Sequence, residues 1–430
     1  MKQIHPVKWV PSLYFMEALP YVAVNVLSVI MYKEMGLTNT QLALYTSWMY
    51  LPWVIKPLWS PVVDSLASER KWILLTQLLS GAGLAGVALT LPAAFWLQAT
   101  IAFFWLVAFS SATHDIAADG YYIIALDDNN QALYVGIRST FYRIGMIFGQ
   151  GLLVMIAGWI KHSTSTPNAW AITFLIMAAI GICLAFYHKF VLPLTSKDYD
   201  EQNKQRMPLM QIMRKTLQDT RKTLRIFVSK PKFWAAFLFM ILFRFPEAQL
   251  VKIASPFMLD SAENGGLALQ TEFVGFVYGT IGVIGLLSGG IIGGFVIANG
   301  GLRKWLWPMV LAITVPDAVY IYMSMAHSSQ PLIISTCVFI EQFGYGFGFT
   351  AYMMYLIYFS RGENSTTVYA LCTALMALGM MLPGMMAGWL SDMMGYQHFF
   401  IWILIACSVT FIVTAFLKID PEFGKKEKKV

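Results

Sequence analysis

The stretch FVLPLTSKDYDEQNKQRMPLMQIMRKTLQDTRKTLRIFVSKPK, Phe190–Lys232, decides how the chain is read, because it is the only long polar interruption in an otherwise apolar sequence. It carries ten basic residues, Lys197, Lys204, Arg206, Arg214, Lys215, Arg221, Lys222, Arg225, Lys230 and Lys232, against Asp198, Asp200, Glu201 and Asp219. That surplus of six accounts for most of the net charge of +7. Such a block crosses a bilayer only at high cost, whereas an anionic membrane surface attracts each nearby basic side chain by about 1 kcal/mol. The segment is therefore expected on the cytoplasmic side. Met207, Leu209, Met210, Ile212, Met213, Leu217, Leu224 and Ile226 punctuate it at near-helical spacing, which suits an amphipathic helix along the membrane surface; a solvated linker accounts equally for the composition.

To either side the sequence is oily. Hydrophobic residues make up 57% of the 430 and charged residues 12%, against about 25% charged in soluble domains. The expected fold class is an all-α polytopic membrane protein. A span needs ~20 mostly apolar residues, and twelve stretches qualify: 9–32, 39–64, 72–92, 95–126, 131–160, 169–190, 232–259, 272–298, 305–325, 331–359, 364–390 and 398–417. The expected organisation is a six-helix bundle over 1–190, a basic linker over 191–231, a second six-helix bundle over 232–417 and a basic cytoplasmic tail over 418–430. The first apolar run carries Glu17 and Asn25 and is too long for a cleavable signal, so it is read as the first span.

With both termini inside, 23 of the 30 basic residues fall on cytoplasmic segments and only Lys33 and Lys161 outside; the other five lie within spans. The positive-inside rule fixes that orientation, and it explains the basic charge without nucleic-acid binding, which is not expected. Cys183, Cys337, Cys372 and Cys407 are scattered singly, with no spacing for a disulfide framework or a metal site. Neither metal nor cofactor is expected.

The halves repeat at a shift near 230 to 234 residues: Arg70-Lys71-Trp72 returns as Arg303-Lys304-Trp305, Glu17-Ala18 as Glu247-Ala248, Gly145-Met146 as Gly379-Met380, and Ala157-Gly158-Trp159 as Ala387-Gly388-Trp389. Their conserved order points to internal duplication, the pattern of parallel-repeat transporters. Gly81-Ala82-Gly83-Leu84-Ala85-Gly86 satisfies a dinucleotide fingerprint, but no strand precedes it. It is read as a helix-packing face, like Gly289-Gly290 and Gly293-Gly294. Asn364-Ser365-Thr366 is placed in the cytoplasm and discarded as a glycosylation site.

Charges inside spans are expensive and normally line a cavity or pair. Glu17 falls in the first span, Lys56 in the second, Asp115 and Asp119 in the fourth, Arg138 and Arg143 in the fifth, Arg244, Glu247 and Lys252 in the seventh, Asp317 in the ninth and Glu341 in the tenth. Asp115 and Asp119 share a helix face, within reach of Arg138 and Arg143. Either this cluster only locks two helices together, or one carboxylate titrates during transport. In the second case Asp115 is the expected proton-linked group, reset by Arg143, with Glu17, Glu247, Asp317 and Glu341 as further candidates. Lys56 is expected to face the cavity, beside Pro52, Pro57 and Pro61. Pro11, Pro20 and Pro246 similarly interrupt the first and seventh spans, where transporters expose backbone to substrate; plain kinks for packing account for any single one.

Four motifs together resemble the AmpG-like muropeptide permeases of the major facilitator superfamily. They are Pro52-Trp53-x-x-Lys56-Pro57-Leu58-Trp59-Ser60-Pro61-x-x-Asp64, Ser111-Ala112-Thr113-His114-Asp115-Ile116-x-x-Asp119, Tyr142-Arg143-Ile144-Gly145-Met146 and Glu341-Gln342-x-Gly344-x-Gly346-x-Gly348. The resemblance runs from the first span to the eleventh. It implies a monomeric, twelve-span importer of peptidoglycan-derived muropeptides in the bacterial inner membrane, driven by protons through alternating access. The wider family also resembles acetyl-coenzyme A transporters and siderophore importers. Lys56, Trp53, Tyr122, Tyr142, Arg143, Arg244, Lys252 and Gln342 are then candidate cargo contacts, and Asp64, Arg70, Asp119 and Arg138 candidate gating residues. The chain departs from the family with His114 where glutamine is frequent, and with Arg244-x-x-Glu247 where Lys-x-x-Asp is. An enzyme would need a nucleophile with a base, or a metal cluster; the six histidines are dispersed. A receptor or channel fits poorly with the duplication and the lack of a soluble output domain.

Overall fold

The structure, a computed structural model, describes residues 5–195, 198, 209–327, 329–362 and 365–425. The Asp64 side chain, linker residues 196–197 and 199–208, Asn364 and tail residues 426–430 lie outside the described residues. Every regular element among the described residues is helical, as bilayer physics requires: a spanning segment must satisfy its backbone polar groups internally. Ten stretches of the described residues are long and apolar enough to cross a membrane. The last, Val368–Ala415, turns at Gly395 (φ 75°), a backbone conformation that suits glycine, so it comprises two helices. The expected second span is built from two shorter helices, Asn39–Trp48 and Leu51–Leu66. A reciprocal cap of Thr38 and Gln41 starts the first of them.

The expected interruptions of the first and seventh spans are present, with different local causes. Helix Val10–Val22 accommodates Pro20 and continues through a wide π turn at Ala23–Leu27 into Ser28–Glu34. The seventh span breaks outright into Phe233–Leu242 and Phe245–Leu259. Pro246 lies in the first turn of the second piece, where its missing N–H is harmless. The Phe243 carbonyl freed by the break accepts from Thr410 Oγ1 at 2.9 Å. In the second span the break falls at Met49–Tyr50, ahead of its three prolines.

The chain forms two compact units, one of Met1–Met31 with Ile55–Lys222, the other of Tyr32–Val54 with Thr223–Val430. The first is centred on Trp9, Tyr14, Tyr121 and Tyr122. Its Gly81, Gly83 and Gly86 bear out the packing reading, because a Cβ at those positions would lie 2.7 Å from Ile182, 2.7 Å from Val107 and 2.4 Å from Phe103. In the second unit residues 32–54 pack with C-terminal helices, and Gly388 makes this possible: its Cβ would lie 1.9 Å from the Asn39 carbonyl oxygen. The linker forms a helix over Leu209–Ser229. Near its C-terminal end Phe227 packs edge-on against Phe233 and Phe359. Near the other end Phe423 is buried, stacks under Arg361 and accepts from the Leu302 N–H at 3.0 Å.

Candidate functional site

In the first unit, four spans bring five of the expected charged residues together. Lys56 pairs with Asp115 through Nζ and Oδ2, and Arg138 pairs with Asp119 at 3.0 Å. Asp119 also accepts from Tyr14 Oη at 3.3 Å. The Arg138 guanidinium lies 4.6 Å from the Tyr14 ring centre and 5.1 Å from that of Tyr122, which suits a planar, weakly hydrated cation. One turn separates the two carboxylates on helix Trp96–Ala125, so each takes its own cation. Glu17 has none: its Oε2 is buried without a hydrogen-bond partner, and no cation of the described residues lies within 4 Å of it. Arg143, the cation expected beside Asp115, is exposed and makes no ion pair among the described residues in this conformation. The Tyr122 hydroxyl is occupied by the Gln131 carbonyl, and Tyr142 packs beside the aromatic core. Arg70 holds the C-terminus of helix Thr166–Val191, donating to the Lys189 carbonyl at 2.6 Å and to that of Leu192 at 3.1 Å.

The second unit carries three further groups. Arg244, at the break in the seventh span, grips Glu247 through two bonds of 2.6 and 2.9 Å, donates to Tyr345 Oη at 2.7 Å and lies 4.8 Å from the Phe349 ring centre. Glu341 accepts from Gln342 Nε2 at 3.0 Å and from Tyr320 Oη at 3.4 Å, while Asp317 is met by the Cys407 thiol at 3.7 Å. Both carboxylates are buried and neither has a cation partner among the described residues. Lys252, also buried, donates to Thr46 Oγ1 at 3.0 Å and lies 5.1 Å from the Tyr50 ring centre. Trp53 lies beside Tyr50 at 6.3 Å.

Two networks escaped the sequence reading. In the first unit Ser12, His188, Gln77 and His114 form a buried chain of contacts of 2.9 to 3.0 Å, which ends at the residue before Asp115. In the second, Lys33 bonds Asp260 at 2.6 Å and Asn39 at 3.0 Å. Tyr396 donates to Asp260 at 2.8 Å, Asn39 to Tyr396 at 3.0 Å, and Asp392 accepts from both the N–H and the hydroxyl of Thr40. The one available signal was that Lys33 is one of only two basic residues expected outside.

Asp260 follows the last residue of its span and is open to titration from water. Burial alone raises its pKa, but hydrogen bonds from Lys33, Asn264 and Tyr396 and the charge of Lys33 outweigh that and hold it below the usual carboxylate range. A depressed folded-state pKa contributes stability that is complete above the unfolded value near 4 and disappears as pH falls through the folded one. Amide exchange over residues 38–42, corrected for intrinsic rates, is therefore expected to accelerate below about pH 4. Asp260→Asn should exchange faster from the outset and lose that dependence. An identical acid profile in both proteins would show that Asp260 does not hold this contact.

Comparison with known proteins decides the family. The Major Facilitator Superfamily model matches residues 12–384. The chain belongs to the major facilitator superfamily. This superfamily member is 24% identical over 363 residues to the anhydromuropeptide permease of Escherichia coli K12, covering 82% of this chain and 68% of that one. It is 26% identical over 377 residues to a Rickettsia conorii protein that carries the transporter name AmpG 4, covering 84% and 85% of the two chains. Among solved structures the nucleoside transporter NupG superposes with a TM-score of 0.69 at 14% identity, over 98% of this chain and 100% of that one. A bacterial homologue of the lysosomal transporter Spinster superposes with 0.68 at 15% identity, over 97% and 99%. At such identities the structures establish the fold. The all-helical transporter fold expected from the sequence, and its AmpG-like character, are borne out.

Proposed function

We propose that this chain imports peptidoglycan-derived muropeptides across the bacterial inner membrane by proton-coupled alternating access, as a monomer with both termini in the cytoplasm. The observation that carries the proposal is the similarity to a permease named for anhydromuropeptides over 82% of the chain. The ion pairs of Lys56 with Asp115, Arg138 with Asp119 and Arg244 with Glu247 within the helices support it, since charges inside a transport bundle pair or line its path. Lys56, Tyr122, Tyr142 and Arg143 in the first unit and Trp53, Arg244, Lys252 and Gln342 in the second are proposed as cargo contacts. Asp115 is proposed as the proton-linked carboxylate, with Glu17, Asp317 and Glu341, which have no cation partner among the described residues, and Glu247 as further candidates. Arg70, Asp119 and Arg138 are proposed to govern gating.

The test is uptake of a labelled anhydro-disaccharide tetrapeptide into proteoliposomes, with an acid exterior imposed. Accumulation above the external concentration, abolished by a protonophore, is the expected result. Equilibration without accumulation would remove proton coupling. Competition by a siderophore or an acyl-coenzyme A compound, but not by unlabelled muropeptide, would overturn the cargo.

A further inference from the structure

We infer that Lys252 is the recognition group for a carboxylate on the cargo, held covered by Thr46 and Tyr50 until residues 39–50 withdraw from it. The inference rests on the transporter reading and adds to it the charge class that one side chain selects.

An ammonium in a helical membrane bundle is costly and is expected to sit with a carboxylate or in a cavity. Lys252 is 1% exposed, and no carboxylate oxygen of the described residues lies within 4 Å of it. Three N–H groups are available on an ammonium, and only one hydrogen bond is made, to Thr46 Oγ1. Thr46 gives its own proton to the Leu42 carbonyl at 2.7 Å, so its oxygen is a pure acceptor toward the lysine. The Tyr50 ring supplies the other favourable contact, a cation–π approach. Both ligands are neutral and both come from the 32–54 segment.

The surroundings are prepared for a further polar atom. Ser47 Oγ is buried with no hydrogen-bond partner, a state that costs about 1–3 kcal/mol in a protein interior. It lies beside the same spot: a Cβ on Gly384 would be 2.8 Å from Ser47 Oγ and 3.5 Å from Lys252 Cγ. One cation with unused donors and one orphaned hydroxyl near it suit a singly charged, planar oxyanion once residues 39–50 withdraw. A phosphate dianion would call for a second cation, and none of the described residues is shown to supply one there. Muropeptides carry carboxylates on their peptide, so the cargo has the group the site lacks.

The cover is a segment with its own fastenings. Lys33 to Asp260, Asn39 to Tyr396 and Thr40 to Asp392 hold its outer end, while Lys252 itself meets its inner end at Thr46 and Tyr50. Withdrawal of residues 39–50 removes both neutral ligands of Lys252 at once and leaves the ammonium to the cargo carboxylate. Return of the segment displaces it.

The experiment compares a muropeptide with the same compound amidated at its carboxylates, in the full-length protein. Wild type is expected to bind the acid about 10- to 100-fold more tightly than the amide, the range for a charge-assisted hydrogen bond. Lys252→Met should lose that preference, the acid weakening far more than the amide, and Lys252→Arg should recover part of it. The methionine variant should be no less thermostable, because removing a buried, unpaired cation relieves desolvation; a lysine kept for packing would cost stability on removal. An acid preference retained in Lys252→Met, or acid and amide weakened alike, would overturn the inference. A second readout needs no transport: acetimidate labelling of Lys252, mapped by mass spectrometry, should be blocked by the acid-form peptide and not by the amide. Labelling unchanged by both overturns the inference, whereas uptake of neither compound by wild type bears on the transporter reading.

Discussion

Lys56→Ala is expected to lose both thermal stability and cargo uptake, and Lys56→Ala/Asp115→Asn to regain the stability without regaining coupled uptake. The lysine and the aspartate pair directly, with side chains 28% and 25% exposed. Removing one partner of a fully buried pair costs about 3–5 kcal/mol, and partial exposure brings the expected loss here to roughly 2–3 kcal/mol. The amide in the double variant needs no counter-charge, so the two changes should be non-additive by about that amount. Asp115→Asn alone should abolish accumulation while sparing exchange between preloaded vesicles and medium, since exchange needs binding and helix movement but no net proton transfer. Arg143→Gln separates two readings of the same carboxylate. If it leaves coupling intact, Lys56 is the partner throughout the cycle; if coupling fails at normal stability, Arg143 meets Asp115 in another conformation. Strict additivity of the Lys56 and Asp115 changes would sink the pairing itself.

The second large effect is expected at the glycines between helices Val283–Gly300 and Pro331–Ser360. A Cβ on Gly289 would lie 2.1 Å from the Phe343 carbonyl oxygen and 2.9 Å from the Phe347 nitrogen, and one on Gly346 would lie 2.1 Å from the Leu286 carbonyl oxygen. Overpacking costs about 1–3 kcal/mol where side chains can yield. Here the obstacle is backbone on both sides, so Gly289→Val should cost more than that and separate the helices. Gly294, five residues along the same helix, has nothing within 4 Å of its would-be Cβ, and Gly294→Ala should stay within about 0.5 kcal/mol of wild type. Thermal unfolding in detergent, with size-exclusion yield as a check on folding, measures both. Similar tolerance at the two positions would show that the close approach is not needed. The paired glycines also illustrate what periodicity leaves open: Gly289 and Gly293 meet the neighbouring helix too closely for a Cβ, while one on Gly290 would be at an ordinary 3.8 Å from the Gly346 carbonyl and one on Gly294 would meet nothing within 4 Å.

The hydrophobic stretches, the basic linker and the charges that interrupt the spans could all be read in order along the chain. Asp115, Asp119 and Arg138 were legible as a cluster because a charge in a bilayer needs a partner, and few were near; that Lys56 joins it in place of Arg143 was not. The choice among partners was not legible. Asp115 had two arginines on the next span and a lysine two spans earlier, and spacing cannot rank them. Lys252 read as one more candidate contact; its lack of a carboxylate emerged only when every neighbour was in place. The network of Lys33, Asn39, Asp260 and Tyr396 was invisible for the same reason, since its members lie up to 363 positions apart in the sequence.

Hydropathy, charge bias and duplication thus determined by themselves that this is a helical, membrane-spanning transporter chain with a polar joint in its middle. Each of those signals is local and adds up residue by residue along one segment, because a spanning helix satisfies its own backbone and must match the bilayer alone. Which charges pair, which lysine stays without an anion, and that residues 32–54 pack with C-terminal helices were decided only in the tertiary structure. With backbone bonds already closed inside each helix, rotation and register are left to close packing, such as Gly388 against the Asn39 carbonyl at a would-be 1.9 Å, and that fit exists only between helices brought together by folding.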